Sequence, residues 1–586
     1  MKTFKKIFTF ILFFGGSGVA LHAQDSVVNR NVNVEREYRP VIQDVGKINS
    51  IPNVLEPNIE KTAPKYTDFN LPLSVGYNVY TLPSALPTSN KTKKTKNGLA
   101  QFGLGNPLNT IADIAYPIIT ETDSRLDFTL NHFGTFEKRT HSVTKTAVTY
   151  DENFNKLDFY SGIGANHEFL KYYGNNFNNE GKITKLNTLE NTYASPVFIE
   201  KSRIGTDTSL RNLNLMAQHN DSLNTFWRLN AFVGIKSIPT AQELKYKADI
   251  SYKLLNIGSG ITEHQILSSG KFSVPSGENR FGLDFEMANL LYQSKNAGLL
   301  NFPHPYSILT INPYYGIERE NWNVRLGIRS SLSVSNGPGF SPSADILGEW
   351  KILPKYVSFY GGITGAYRIN SMNTILEENP YIMPDIKVKD TYTPFDIFAG
   401  VKLKPLYNLL IDGYVDYKKI NNAYFFVNKV YSSSLTTSDS VLYTNRFDVM
   451  YNDASLLKMG IRANYNLKNW LNIQMKGCYN SWQVSNQTHA WNKPKWEADM
   501  STEIRITNEI FFNASAYYEA GRTAKLGNMI LPMNNKIDIN LGCNYAFNSS
   551  VSAFLKINNL LGNRNQYFYG YEVQGLNVLI GAALSF

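Results

Sequence analysis

The chain has 586 residues, of which 13% are aromatic and 18% are charged, and its formal charge is +10. The two cysteines are too few to support a disulfide framework or a zinc site. Beyond the N-terminus no apolar stretch is long enough for a transmembrane helix, which excludes a helical membrane protein. It does not exclude one that crosses with strands of about 10 residues each.

The N-terminus has the composition of an export signal. Three lysines (Lys2, Lys5 and Lys6) accompany the apolar run 7–14, small residues follow, and Ala23 stands at a cleavage position. The run is too short for a stable span, so residues 1–23 are predicted to be a signal peptide, without a lipid anchor because no cysteine is near. Its removal leaves a charge of +7 (10 − 3). This excess either favours anionic solutes or lipid head groups or has no functional role.

Residues 24–96 are distinguished by recurring prolines. The only extended pattern in them is the segment 32–35, which either pairs with a partner strand or is a free tail. We predict a mostly irregular extension that lies in the periplasm or enters a lumen. It ends in a basic run that either contacts anionic head groups at the inner rim or is a solvated linker: Lys91, Lys93, Lys94 and Lys96.

Residues 97–586 are predicted to form a transmembrane antiparallel β-barrel. A first strand pair covers 101–105 and 109–118, around a turn at Gly105, Asn106 and Pro107. Strands 125–136 and 157–169 follow, with a polar loop predicted between them. The stretch 172–210 is polar and rich in asparagine, which indicates a large extracellular loop.

Alternation of apolar and polar residues carries the barrel prediction. In the last segment one parity is wholly apolar: Leu576, Val578, Ile580, Ala582, Leu584 and Phe586. Segments near Val324, Phe395, Ile411, Met459, Ile473 and Ile539 repeat the pattern, with charges such as Arg325, Lys402, Asp412, Arg462, Lys476 and Asp538 on the other parity. Because successive strand side chains point to opposite faces, one face meets lipid and the other meets water. The same parities put Cys478 in the lumen and Cys543 toward lipid, too far apart to bond.

Tight turns recur about every 40 to 60 residues in the C-terminal half, as two strands plus one long loop per repeat require. They are read at 318–320, 353–355, 404–406, 467–469, 507–508 and 548–549. The prediction is an all-β barrel with an even number of about 16–22 strands, short periplasmic turns and long extracellular loops. Aromatic residues before the last strand (Tyr567, Phe568, Tyr569 and Tyr571) are assigned to an interfacial girdle.

Two motifs resemble a known family. Residues 557–563 (INNLLGN) with 569–575 (YGYEVQG) look like the closing motif of barrels of the Bacteroides and Flavobacterium phylum, described as TonB-dependent receptor-like. Residues 34–40 (VEREYRP), Asp44 and 47–49 (KIN) resemble a segment of its subgroup without a full plug domain. The resemblance implies a location in the bacterial outer membrane. Residues 24–96 are too few and too rich in proline for the family's plug, so energised uptake does not follow from it.

Candidate chemistry in the lumen is limited. One strand face carries Lys495, Glu497, Asp499, Ser501, Glu503 and Arg505. This face is either a selectivity ladder for a charged solute or the paired-charge lining of a water-filled barrel. The histidines lack metal-ligand spacing: His132, His141, His167, His219, His264, His304 and His489. No serine–histidine pair is marked by spacing and no basic patch suits nucleic acid, so no catalytic, cofactor or metal residue and no enzyme activity is predicted.

Two functions from different classes remain open at this stage. The leading hypothesis is an outer-membrane barrel that takes part in solute passage or uptake, gated by the 24–96 segment or by loops folded inward. The alternative is a structural or accessory subunit of a larger outer-membrane complex, without transport of its own. The expected contacts are outer-membrane lipid and either a periplasmic energy-coupling protein or a surface lipoprotein.

Overall fold

The computed structural model describes residues 98–174, 176–177, 183–184, 223–238, 244–294, 303–334, 339–383, 386–432 and 441–586. The predicted signal peptide 1–23 and extension 24–96 lie outside the described residues. Among the residues described, no helix combines the length and apolar character that crossing a membrane requires.

Twenty-two antiparallel strands form one closed sheet. The first eleven are β1 (Leu99–Asn106), β2 (Asn109–Thr120), β3 (Ser124–Thr135), β4 (His141–Phe154), β5 (Leu157–Lys171), β6 (Leu223–Ser237), β7 (Lys245–Ile257), β8 (Ile261–Ser276), β9 (Asn279–Ser294), β10 (Tyr306–Glu318) and β11 (Trp322–Val334). The others are β12 (Phe340–Leu353), β13 (Val357–Arg368), β14 (Thr391–Leu406), β15 (Leu409–Ser432), β16 (Val441–Leu467), β17 (Leu471–Val484), β18 (Trp496–Arg505), β19 (Ile510–Ala520), β20 (Lys536–Ala546), β21 (Val551–Asn558) and β22 (Asn577–Ser585).

The sheet closes where β1 pairs with β22. Leu99 is registered with Ser585 and Gly105 with Leu579, while the far side of β22 pairs with β21. The strand number is even and within the predicted range, and the first pair, β1 with β2, is registered as expected. Closure pairs the backbone N–H and C=O groups of every strand edge with a neighbouring strand, and β-structure is stable in lipid only when these groups are paired.

Smaller elements lie between the barrel strands. The loop after β13 contains a short helix, α1 (Met372–Glu378), and a 3₁₀ turn occupies Glu137–Arg139. The remaining described elements are the short strands Asn176–Phe177, Ile183–Thr184, Thr523–Leu526, Met529–Pro532, Gln566–Phe568 and Tyr571–Glu572.

The two rims of the barrel differ in the length of their connections. At the rim that holds Leu99 and Ser585 the connections are short, as in 319–321, 354–356 and 468–470. At the other rim they include 172–222, 369–390 and 559–576. This asymmetry identifies the first rim as periplasmic and the second as extracellular. All six predicted turns lie at the periplasmic rim, although the one assigned to 404–406 falls two residues later, at Tyr407 and Asn408.

The predicted faces are confirmed by exposure. Large apolar side chains of the outward parity are exposed around the barrel, for example Ile328, Ile461 and Ile580, the last at 63%. A continuous apolar surface of this kind is stable against lipid and not against water, so the barrel is an outer-membrane structure. Cys478 faces inward and Cys543 outward, and both are free.

One prediction about the N-terminal half is wrong. The polar loop expected between residues 136 and 157 is strand β4, registered along its whole length with β3 and β5. Its outward side chains include Thr144 and Thr146, so neither parity reads as apolar. Threonine is β-branched and pairs well in strands despite its hydroxyl group, which is why polarity alone was misleading.

Candidate functional site

The inner wall of the barrel is lined by cross-strand ion pairs. Arg325 of β11 binds Asp284 at 2.9 Å and Asp345 at 2.8 Å and lies over the Tyr314 ring. Lys418 of β15 binds Asp396 at 2.7 Å and Asp416 at 3.0 Å, and Arg462 lies 3.4 Å from Asp412. Charges of both signs alternate across these strands, which suits a water-filled lumen.

The predicted polar face of β18 belongs to this lining. Glu497 accepts a hydrogen bond from Asn480 Nδ2 at 2.6 Å, and Asp499 lies 3.9 Å from Lys476. These carboxylates are engaged by neighbours on β17 and do not converge on one point. The face is therefore part of the paired lining, and it does not resemble an acid–base pair of a glycosidase.

The connection 369–390 folds into the extracellular mouth of the barrel. Ser371 caps α1, and its Oγ accepts the backbone N–H of Thr374 at 3.1 Å. The helix buries Met372, Ile375 and Leu376, a spacing that forms one apolar face. A sequence signal for this element exists in the capping serine and that spacing, and sequence reasoning missed it.

The apolar face of α1 joins two separate arcs of the barrel. One arc is the inner face of β5 to β10, including Phe226, Leu255, Leu290 and Ile308; the other is the inner face of β15 and β16, with Phe426 and Phe447. These side chains form one buried cluster with the helix. Since the two arcs are several strands apart, the loop spans the lumen at this level.

A carboxylate on the wall holds the N-terminus of α1. Glu263 of β8 is 1% exposed and accepts the backbone N–H groups of Met372 at 2.6 Å and Asn373 at 3.3 Å. These donors have no partner within the helix, and a carboxylate also complements the positive end of the helix. Arg228 of β6 donates to Asn373 Oδ1 at 2.8 Å and is itself paired with Glu168.

Polar contacts also hold the far end of α1. Glu378 binds Lys493 at 2.8 Å and accepts a hydrogen bond from the Tyr424 hydroxyl group. Burial acts to raise the pKa of the Glu378 carboxyl group, but the Lys493 ammonium and the hydrogen bonds outweigh it and keep the pKa below its usual value.

The end of the connection is held by a second buried carboxylate. Asp390 accepts hydrogen bonds from Tyr306 at 3.0 Å, Tyr367 at 3.1 Å and the backbone N–H of Asn370 at 2.9 Å. Burial raises the pKa of Asp390 to about 6, because these neutral donors compensate only in part.

Aromatic residues of the last connection join the same cluster. The rings of Tyr571 and Tyr381 stack at 3.7 Å between centroids, Tyr173 packs edge-on against Tyr571, and Phe568 contacts Phe447. Tyr571 is completely buried. The assignment of Tyr571 and Phe568 to an interfacial girdle is therefore wrong, because both side chains turn into the mouth.

Within the described ranges, no group of three or more histidine, cysteine, aspartate or glutamate side chains is arranged to hold a metal ion. His132 bridges Thr110 at 2.9 Å and Thr144 at 2.8 Å, and His167 stacks on Trp227. These histidines serve local packing on the outer wall.

Comparison with known proteins shows what the fold is similar to. No protein-family model and no curated protein sequence matches the chain. Among solved structures, the ferric-catecholate import receptor Fiu of E. coli K12 is 10% identical, with a TM-score of 0.57 over 84% of this chain and 82% of that one. The siderophore receptor PirA of Acinetobacter baumannii is 11% identical, with a TM-score of 0.59 over 84% and 81%. The copper transporter OprC is 10% identical, with a TM-score of 0.55 over 84% and 80%. At this identity the likeness concerns the fold.

Proposed function

We propose that this protein is a TonB-dependent receptor-like barrel of the outer membrane that takes part in the uptake of a solute, and that the connection 369–390 closes its extracellular mouth. The observation that carries the proposal is a 22-stranded barrel with a charged, water-suited lumen whose outer end is filled by the connection 369–390, packed against aromatic residues of the last connection. Barrels of 22 strands enclose a lumen wide enough to need a plug. The similar structures are two receptors and a transporter, which supports an uptake role and a protein that is not an enzyme.

The proposal extends to the organisation of the chain. Residues 1–23 are a signal peptide, 24–96 a periplasmic or lumen-entering extension, and 97–586 the barrel. The chain belongs to a Bacteroidota subgroup without a full plug domain, in which the loop 369–390 takes over closure at the outer end. The extension then meets a periplasmic energy-coupling protein. These points are supported by the motifs at 34–40 and 557–575 and by the proline content of 24–96.

Conductance in planar bilayers tests the uptake role. We expect the full chain to be closed or to open rarely, and a variant with residues 372–383 replaced by a short glycine–serine linker to conduct steadily. A matched control shortens the connection 521–535, whose hairpin lies outside the cluster around α1. A loop-replaced variant that inserts and stays silent contradicts closure by this loop.

A second function is favoured by one observation. The cluster around α1 is as densely apolar as a protein core, so the mouth resembles a permanent seal. A permanently sealed mouth is expected of a structural subunit in a larger outer-membrane complex that has a surface lipoprotein as its partner. Pull-down of the full chain from native membranes discriminates the two: stoichiometric partners together with electrical silence support the subunit, and an energy-coupling protein supports uptake.

A further inference from the structure

One part of the lumen wall is basic. The inner face of β6 to β8, from the level of Arg228 and Glu263 toward the periplasm, has five lysines and one carboxylate, Asp249, an excess of +4 (5 − 1). The lysines are Lys236 on β6, Lys245, Lys247 and Lys253 on β7, and Lys271 on β8. Their inward orientation follows from the exposed apolar residues of the opposite parity, among them Val233, Ile250 and Val274.

Three of these lysines stand in one row. Lys247 is registered with Lys236 on one side and with Lys271 on the other. Registered residues on neighbouring strands lie about 5 Å apart, so three ammonium groups fall within roughly 10 Å of wall. Like charges directly opposite one another destabilise a sheet unless something neutralises them.

The carboxylates near the row neutralise it only in part. Asp158 lies 3.1 Å from Lys236, and Asp249 lies 3.6 Å from Lys247. Both oxygens of Asp249 are already used, one by Tyr160 and the other by Ser269. Both lysines remain about half exposed.

Lys271 makes no ion pair with any of the described residues. Asp284 is registered directly opposite Lys271, but its carboxylate accepts from Arg325 at 2.9 Å. Within the described part of the chain, neither Lys271 nor Lys253 makes an ion pair or a side-chain hydrogen bond. Two other cations of the wall, Lys418 and Arg462, are by contrast paired with carboxylates. The row therefore carries positive charge that its neighbouring carboxylates neutralise only in part, and this charge can bind an anion.

We propose that Lys236, Lys247 and Lys271 form a binding site on the lumen wall for a phosphate group, free or carried by a larger solute. A divalent oxyanion bridges neighbouring ammonium groups and removes their mutual repulsion, and lysine arrays of this kind select anions and phosphates in pores. Lys253 lies six residues further along β7, about 20 Å toward the closed mouth, where it offers the next contact. The role of the site in passage rests on the uptake function proposed above, whereas binding itself does not.

The test uses the full chain folded in detergent, with inorganic phosphate and glucose 6-phosphate as probes and calorimetry at constant ionic strength. We expect saturable binding by the wild type. We expect it to be at least about tenfold weaker in the double variant Lys247→Gln and Lys271→Gln, since losing a charge-assisted contact corresponds to that factor or more. The probe that binds more tightly identifies whether the phosphate is free or carried.

The control removes the same formal charge elsewhere in the lumen. Lys402 and Lys476 lie 3.7 Å and 3.9 Å from a carboxylate, and neither is registered with another lysine. Because they belong to no row of lysines, Lys402→Gln with Lys476→Gln is expected to bind the probes like the wild type. Gel mobility before and after heating verifies that each variant is folded. No saturable binding by the wild type, or an equal loss in both double variants, overturns the site. If the variants bind as expected but the protein passes no solute, the uptake function is refuted and the binding site is not.

Discussion

Adjacent residues on β17 provide the sharpest test of the two faces of the barrel. Met475 points outward, is 44% exposed and is registered with the apolar Met500. Gln474 points inward, is also exposed and is registered with Ser501. Substituting arginine at either position puts the same side chain and the same charge on the same strand, so a difference between the variants reports the solvent that each side chain meets.

The expected loss of stability depends on how deep in the bilayer the substituted residue lies. The outward apolar residues of β17 run from Leu471 to Tyr479, and Met475 is at their centre. An arginine on the lipid side near the middle of the bilayer costs about 2–4 kcal/mol, which is roughly a 30- to 1,000-fold change in the folding equilibrium. Arginine at 474 enters the lumen beside polar neighbours and is expected to cost less than about 1 kcal/mol.

The assay is folding into lipid vesicles over a urea series, followed by the gel mobility of the folded barrel. We expect Met475→Arg to fold poorly or to shift its urea midpoint strongly, and Gln474→Arg to behave like the wild type. Equal midpoints for the two variants, or a larger loss for Gln474→Arg, would show that the assigned faces are wrong.

Three further predictions concern how firmly the loop 369–390 is held, and each is read from the rate at which an added protease cuts this loop in the folded full chain. Glu263→Gln weakens the acceptor for two helix N–H groups at a cost of about 1–3 kcal/mol, so cleavage should be faster than in the wild type; an unchanged rate contradicts the anchoring role. Asp390 has a raised pKa when the loop is packed in the mouth, so the packed loop binds the proton more tightly than a released loop does. The packed state is therefore most stable in acid and becomes less stable as the pH rises through about 6. Cleavage should therefore be faster at pH 8 than at pH 5, after correction with an exposed control site, and Asp390→Asn should abolish that difference. Lys493→Ala leaves the Glu378 carboxylate buried without its ammonium partner, at a cost on the order of 3 kcal/mol, so cleavage should be faster. Combining Lys493→Ala with Glu378→Gln should restore much of the lost protection. Failure of that rescue argues against a direct pair.

The alternation of faces was readable from the sequence because it is local. In β20, Ile539 and Asn540 fall on opposite parities, and the parity alone favours them as a matched pair of arginine substitutions. The structure changes that choice, since Asn540 Oδ1 accepts the backbone N–H of Asn559 and helps to hold the last connection. Met475 and Gln474 form the cleaner pair because Gln474 has no such role within the described residues.

Two features of the fold were not predicted from the sequence, and each has a specific physical cause. Strand β4 was missed because its threonines and charges give no apolar parity, and only pairing with β3 and β5 reveals it. The capping Ser371 and the buried spacing of Met372, Ile375 and Leu376 were visible in principle. A helix of seven residues is marginal without tertiary packing, so this signal is weak until the cluster around it is known.

The sequence by itself determined that the chain is a barrel and, in the C-terminal half, which parity meets lipid and where six periplasmic turns fall, because strand alternation and turn composition depend on neighbours along the chain. The tertiary structure alone decided what the lumen contains. Glu263 and Met372 are 109 residues apart, and Tyr381 meets Tyr571 across the mouth. The row of Lys236, Lys247 and Lys271 likewise exists only once three strands are in register. The contacts across the mouth depend on closure of the ring and the lysine row depends on the register of its strands, and no local pattern encodes either.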